Sequence, residues 1–129
     1  MTTLLLDTHA VLWFWWDDPR LSTTAKALIC DPSNRKLVSV ATPWEVAIKV
    51  SRKKLDLGGA YRGFFEQQMV RAYFEWLPVA MKHLDLVAEL PYHHSDPFDR
   101  LIVAQALTET VPVVSVDTQL DAYGIVRLW

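Results

Sequence analysis

Apolar residues fall along this chain in two rhythms. Short, nearly unbroken runs ("TLLL", "LVSVAT", "WLPVA", "VPVVSV" and "IVRLW") are too brief for helices and are bounded by turn residues, so each predicts a buried strand. Longer stretches repeat their apolar positions every three to four residues and predict helices. The first strand covers Thr3 to Leu6 and ends at Asp7, and a helix follows over 9–16, with Leu12, Trp13 and Trp16 at helical spacing. "DDPR" breaks the chain, Ser22 is placed to cap a second helix running to Cys30, and "DPSNRK" is a turn by composition. After the strand "LVSVAT", the segment "TPWEVAIKVSRKK" predicts a helix with a capping box: Thr42 at the cap, Pro43 at the first position, Glu45 at the third. Gly58-Gly59 ends that unit. An aromatic-rich helix is expected over 61–75, and another over 81–90 that Pro91 stops. The last long helix runs over 96–110, with Asp96 as its cap and Pro97 at its first position. "DTQLDAYG" reads as a turn and short helix before the final strand.

Strands that alternate with helices and are apolar throughout predict a parallel sheet covered on both faces. In such sheets, sites form beyond the carboxyl ends of the strands. Neither a linker nor a low-complexity segment interrupts the pattern, and 129 residues suit one domain, 1–129, with a proper core.

Composition adds exclusions. Apolar residues make up 51% and charged residues 22%, the balance of a folded soluble protein. "LLLDTHAVLWFWW" is the most apolar stretch, but Asp7 and His9 interrupt it, so no membrane span is expected; it also lacks the features of a signal peptide. The single cysteine, Cys30, fits a reducing, cytoplasmic setting and gives a zinc site little support. A pI near 6.0 speaks against a strongly basic nucleic-acid binder. Setting four acids aside at a metal would leave 11 against 13 Lys and Arg, a mildly basic remainder. Trp13, Trp15 and Trp16 offer more aromatic surface than one short helix buries, which suggests a subunit interface.

Acids recur at the expected strand ends. Asp7 follows "TLLL", Glu45 lies in the first turn after "LVSV", and Asp117 follows "VVSV"; Asp99 sits in the first turn of the helix leading to that strand. Each has an ordinary explanation, since helix N-termini favour acids. Together on one edge of a parallel sheet they would repel one another and raise each other's pKa values, unless a cation neutralised them. An all-oxygen set selects a hard divalent ion, Mg²⁺ or Mn²⁺, which suits phosphoryl chemistry. Lys49 shares a helix face with Glu45, Arg52 extends that face beside Lys53 and Lys54, and Arg100 follows Asp99. Cations beside an acidic metal site suit a polyanion, although a solvated helix face explains them too. The adjacent His93 and His94 do not share a face and are not expected to bind a metal jointly. There is no nucleophile elbow, P-loop or GxGxxG.

"LLLDTHAVLWFW", "ATPWEVAIKVSRKKLDL", "HHSDPFDRLIVAQA" and "VPVVSVDTQLDAYGI" together resemble the PIN domain, specifically the VapC-like toxins of bacterial toxin–antitoxin pairs, over nearly the whole chain. The resemblance implies a three-layer α/β/α sandwich, a metal-dependent endoribonuclease, and a homodimer held inactive by a cognate antitoxin that inserts a C-terminal segment towards the site. The family acids fall on Asp7, Glu45, Asp99 and Asp117. Asp7, Asp99 and Asp117 are the expected metal ligands; Glu45 would be a ligand or would orient the attacking water. Thr8, a small hydroxyl residue after the first Asp, would orient ligands or contact phosphate. Lys49, Arg52 and Arg100 would meet the RNA backbone. Asp96 lies outside the core pattern and is expected mainly to cap its helix. Two alternatives are a metal-dependent phosphatase on a similar sheet and a non-catalytic nucleic-acid-binding module. His9 stands where a haloacid-dehalogenase-like phosphatase needs a second acid.

Overall fold

The computed structural model describes residues 2–129. Five strands, β1 (Thr3–Leu6), β2 (Arg35–Ser39), β3 (Glu75–Leu77), β4 (Val113–Val114) and β5 (Arg127–Leu128), form one sheet in the order β3-β2-β1-β4-β5. Every pairing is parallel. The central strand β1 is fully buried at Leu4, Leu5 and Leu6, as a strand covered on both faces must be.

Alternation along the strands divides the core in two. Leu4, Leu6, Val38 and Val114 face one layer, packed by α1 (Thr8–Trp15), α2 (Thr23–Cys30) and α4 (Phe64–Arg71), with Val46 of α3 (Ala41–Ser51). Leu5, Leu37, Leu77 and Val113 face the other, filled by α6 (Pro97–Glu109) and a 3₁₀ helix, Thr118–Tyr123. α5 (Met81–Glu89) packs on α6. The result is the three-layer α/β/α sandwich expected.

Three expectations change. First, α3 starts at Ala41, not after a cap at Thr42; its cap residue is Val40, with no capping side chain. The Ser39 hydroxyl accepts from the Ala41 N–H at 3.1 Å and so serves the helix start earlier. Pro43 then falls third in the helix, still within the turn where a missing N–H costs nothing. Glu45 is thereby free of capping duty. Second, the strand "VPVVSV" shrinks to two residues and "IVRLW" to two, while the helix expected over 61–75 covers only Phe64–Arg71. Gly63, at φ 82°, takes the left-handed turn that starts it. Third, the tryptophans of α1 are spent largely within the chain. Trp15 lies 5.7 Å from Phe65 and from Phe74 and 5.9 Å from Phe64, and Trp13 lies against Trp129.

Strand order reverses about β1: the chain moves to β2 and β3 on one side and to β4 and β5 on the other. The crevice at the carboxyl ends of β1 and β4 is the topological switch point where open α/β sheets build their sites.

Candidate active site

Asp7 follows β1 at that switch point. Its N–H donates to the Val114 carbonyl at 3.2 Å, and its Oδ1 caps α1 by accepting from the Ala10 N–H at 2.8 Å. Burial pushes the Asp7 carboxyl above its usual range, and Glu45 adds to this; the Ser115 hydroxyl, the Ala10 amide and His9 pull the other way.

Glu45 is 6% exposed and fully engaged. The Thr8 hydroxyl donates to its Oε1 at 2.6 Å, and Lys49 Nζ donates to its Oε2 at 2.8 Å. Thr8 also lies 3.4 Å from the Thr42 hydroxyl. Helical spacing puts Lys49 one turn after Glu45, so the pair follows from sequence.

Asp96 caps α6, its Oδ1 accepting from the N–H groups of Phe98 at 2.8 Å and Asp99 at 3.0 Å. Asp99 is thereby aimed from the first turn of α6 into the crevice. Its pKa is raised to about 7, first by burial and then by the like charge of Asp96; Asp7 and Glu45 push the same way, and His94 opposes them. Asp117 follows β4 and caps the 3₁₀ helix, Oδ1 accepting from the Gln119 N–H at 2.9 Å. Its Oδ2 lies 2.8 Å from His94 Nε2, and Asp99 Oδ2 lies 3.3 Å from the same nitrogen. Candidate ligand atoms of His94, Asp99 and Asp117 all fall within 4.8 Å of one another, a spacing able to hold an ion. Asp7 and Glu45 stand outside that tight group but act on Asp99 through their charge.

The basic residues separate. Arg52 is exposed at the end of α3, with Lys53 and Lys54 beside it, and Lys49 leads towards it from Glu45. Arg100 is a correction. It is 4% exposed, and its guanidinium donates to the carbonyls of Pro91, Val87 and Leu90 and to the Tyr123 hydroxyl, with Tyr92 stacked 3.8 Å away. Four of the five donors of the planar fork are consumed in closing the α5–α6 loop, so the buried Arg100 does not face a polyanion.

Two site residues escape the sequence reading. His93 and His94 are neighbours in the sequence but part company in the fold: the His93 ring packs on Tyr123 at 5.0 Å and His94 enters the site. The other is Ser115, fully buried, whose hydroxyl accepts from the Asp117 N–H at 3.0 Å. Its signal was present in the likeness of "LVSVAT" to "VVSVDT", because Ser39 and Ser115 each accept from the amide two residues on.

A crevice of carboxylates with one member raised to about 7 is a site poorly neutralised by its own chain, and its donor set fits a divalent cation. The family model described as PIN domain matches residues 4–126. Ribonuclease VapC22 of Mycobacterium tuberculosis (strain ATCC 25618 / H37Rv) is 28% identical over 125 residues, covering 95% of this chain and 93% of that protein. A chain in the crystal structure of VapBC2 from Rickettsia felis bound to a DNA fragment from their promoter superposes with a TM-score of 0.70 at 14% identity, covering 98% of this chain and 97% of that one. A chain of FitAcB from Neisseria gonorrhoeae superposes with a TM-score of 0.65 at 18% identity, covering 96% and 95%.

Proposed function

This chain belongs to the PIN-domain family, and from that premise we propose that it is a Mg²⁺- or Mn²⁺-dependent endoribonuclease, the toxin of a toxin–antitoxin pair. The observation that carries this reading is the convergence of Asp7, Glu45, Asp99 and Asp117 at the carboxyl edge, with Asp99 raised to about 7 by burial and its acidic neighbours. Asp7, Asp99 and Asp117 would hold the ion. Bound there, it would lower the pKa of a water and offset charge on the attacked phosphate.

The chain's own groups supply the rest. Thr8 and Lys49 fix both oxygens of Glu45, so this carboxylate keeps one orientation, suited to accepting a hydrogen bond from the attacking water. Lys49 near the end of α3, and the exposed Arg52, Lys53 and Lys54 just past it, would take phosphates flanking the scissile one. His9, where a phosphatase of the haloacid-dehalogenase type needs an acid, is exposed and packs against Trp13, so that alternative gains no support.

The partner would be a small antitoxin whose inserted segment places an Arg or Lys near the acids, since a cation there can stand in for metal. The homodimer rests on the family. With the α1 tryptophans used internally, the surface it would use is the exposed apolar groove of about 320 Å³ lined by Val40, Ala41, Trp44, Val79, Leu84 and Leu101. Among the described residues no helix is long and apolar enough to cross a membrane; we place the protein in the cytoplasm on its single cysteine, Cys30.

Incubation with RNA and with a generic phosphomonoester, each with EDTA and with Mn²⁺ restored, tests the reaction. RNA should be cut only with metal, and Asp7→Asn should reduce the rate on the order of 10³-fold while the protein stays folded. Cleavage that persists in EDTA, or a fully active Asn variant, would sink the reading.

A further inference from the structure

We propose that His94 is a positioning residue: a hydrogen-bond donor to Asp117 that, with Asp99 alongside, keeps the two carboxylates at the spacing a divalent cation needs, and not itself a ligand. The proposal rests on the metal-nuclease reading above and assigns a role within that site.

Two hydrogen bonds fix the proton. The backbone N–H of Asp96 points at His94 Nδ1 at 3.1 Å. An amide N–H can only donate, so Nδ1 must present its lone pair, and the ring proton belongs to Nε2. Nε2–H then donates to Asp117 Oδ2 at 2.8 Å, with Asp99 Oδ2 at 3.3 Å. In this tautomer the nitrogen facing the site has no lone pair to give a metal. Moving the proton to Nδ1 would set it against the Asp96 N–H, two donors face to face. The cluster is therefore two ligands and one donor.

The ring has little freedom to do otherwise. The Tyr123 hydroxyl accepts from the N–H groups of both His93 and His94, at 3.1 and 3.0 Å, which pins the peptide that carries the ring. Arg100 holds that hydroxyl in turn at 3.3 Å. The loop between α5 and α6 is thus locked from behind, and Asp96 serves it twice: its amide fixes the imidazole while its carboxylate caps the helix that carries Asp99. Outer partners that orient metal-binding carboxylates typically change metal affinity ten- to hundredfold when removed.

The test uses the full chain. In the metal-free protein, ¹⁵N NMR of the ring nitrogens should place the His94 proton on Nε2. Pulsed EPR of the Mn²⁺-loaded protein should show no histidine-nitrogen coupling. Mn²⁺ affinity should fall about ten- to hundredfold in His94→Ala, whereas His94→Gln, whose amide can donate from the place of Nε2, should stay within a few-fold of the parent. A proton on Nδ1, a nitrogen coupling that vanishes in His94→Ala, or a Gln variant as damaged as Ala would each overturn the proposal. Should the Ala variant not fold, the parent's NMR and EPR spectra decide. A parent that binds Mn²⁺ with these signatures yet leaves RNA intact would overturn the nuclease reading and leave the role of His94 standing; a parent that binds no Mn²⁺ would overturn both.

Discussion

The two halves of the acidic crevice are built on opposite principles. Glu45 is buried and held on both sides: a hydroxyl on one oxygen and an ammonium on the other. Around Asp99 demand exceeds supply. Its neighbours Asp96, Asp7 and Glu45 share its charge, and the imidazole of His94 opposes them. The first half is finished when the chain folds; the second is left for something else to complete. A catalytic centre needs both: a fixed carboxylate to orient a reactant, and an unbalanced one to attract the ion that activates it.

Removing the imbalance should give the largest change in stability. Asp99 takes up a proton more readily in the folded protein than in the unfolded chain, where it has the ordinary value near 3.8. The metal-free fold therefore loses stability as pH rises from about 4 and has lost all of this contribution above about 7. Asp7, also raised by burial, adds in the same direction. Asp99→Asn should flatten this slope and make the metal-free protein more stable at pH 8, by a few kcal/mol at most. It should also abolish cleavage and the rise in melting temperature that Mn²⁺ gives the parent. Thermal melts across pH, with and without Mn²⁺, check this; an Asn variant that is less stable at pH 8 and still cuts RNA would reverse the comparison.

The finished half should respond in the other sense. Thr8→Val keeps the shape of the side chain but strips a buried carboxylate of its donor, at a cost of about 2 kcal/mol in stability at neutral pH, read by denaturant unfolding. A gain in stability would mean that Glu45, too, is held against its preference. Smaller still is the helix cap. Asp96→Ala should lose roughly 0.5–2 kcal/mol. Because Asp96 also repels Asp99, part of that loss should be recovered above pH 7. A cap effect independent of pH would show that the two aspartates of "SDPFDR" do not sense each other.

Much of this was legible in the sequence, for identifiable reasons. Period and punctuation located β1 and α6 because both elements carry strong local signals: an unbroken "TLLL" before Asp7, and Asp96-Pro97 before a long apolar helix. The spacing of Glu45 and Lys49 gave their pair without any fold. What failed was local chemistry with a competitor. Thr42 had every property of a cap, but Ser39 took the Ala41 amide first and the helix began early. What stayed hidden was decided by distant parts of the chain. Arg100 looks like any surface arginine until the turn after α5 wraps carbonyls around it. His94 differs from His93 only because the α5–α6 loop returns one ring to the end of β4 and the other to Tyr123.

The parallel seam at the centre of the sheet also has a consequence in time. Leu5 lies opposite Leu37 on one side and Val113 on the other, and the second closure spans roughly three times as much chain, which adds about 1 kcal/mol of loop entropy. Asp7 and Asp117 flank that costlier seam, where β4 contributes only two residues. High contact order of this kind makes assembly slow, and the reactive crevice is among the last parts of the molecule to exist. Refolding followed by intrinsic tryptophan emission, to which Trp13 and Trp15 of α1 contribute, should therefore run ahead of the return of catalysis.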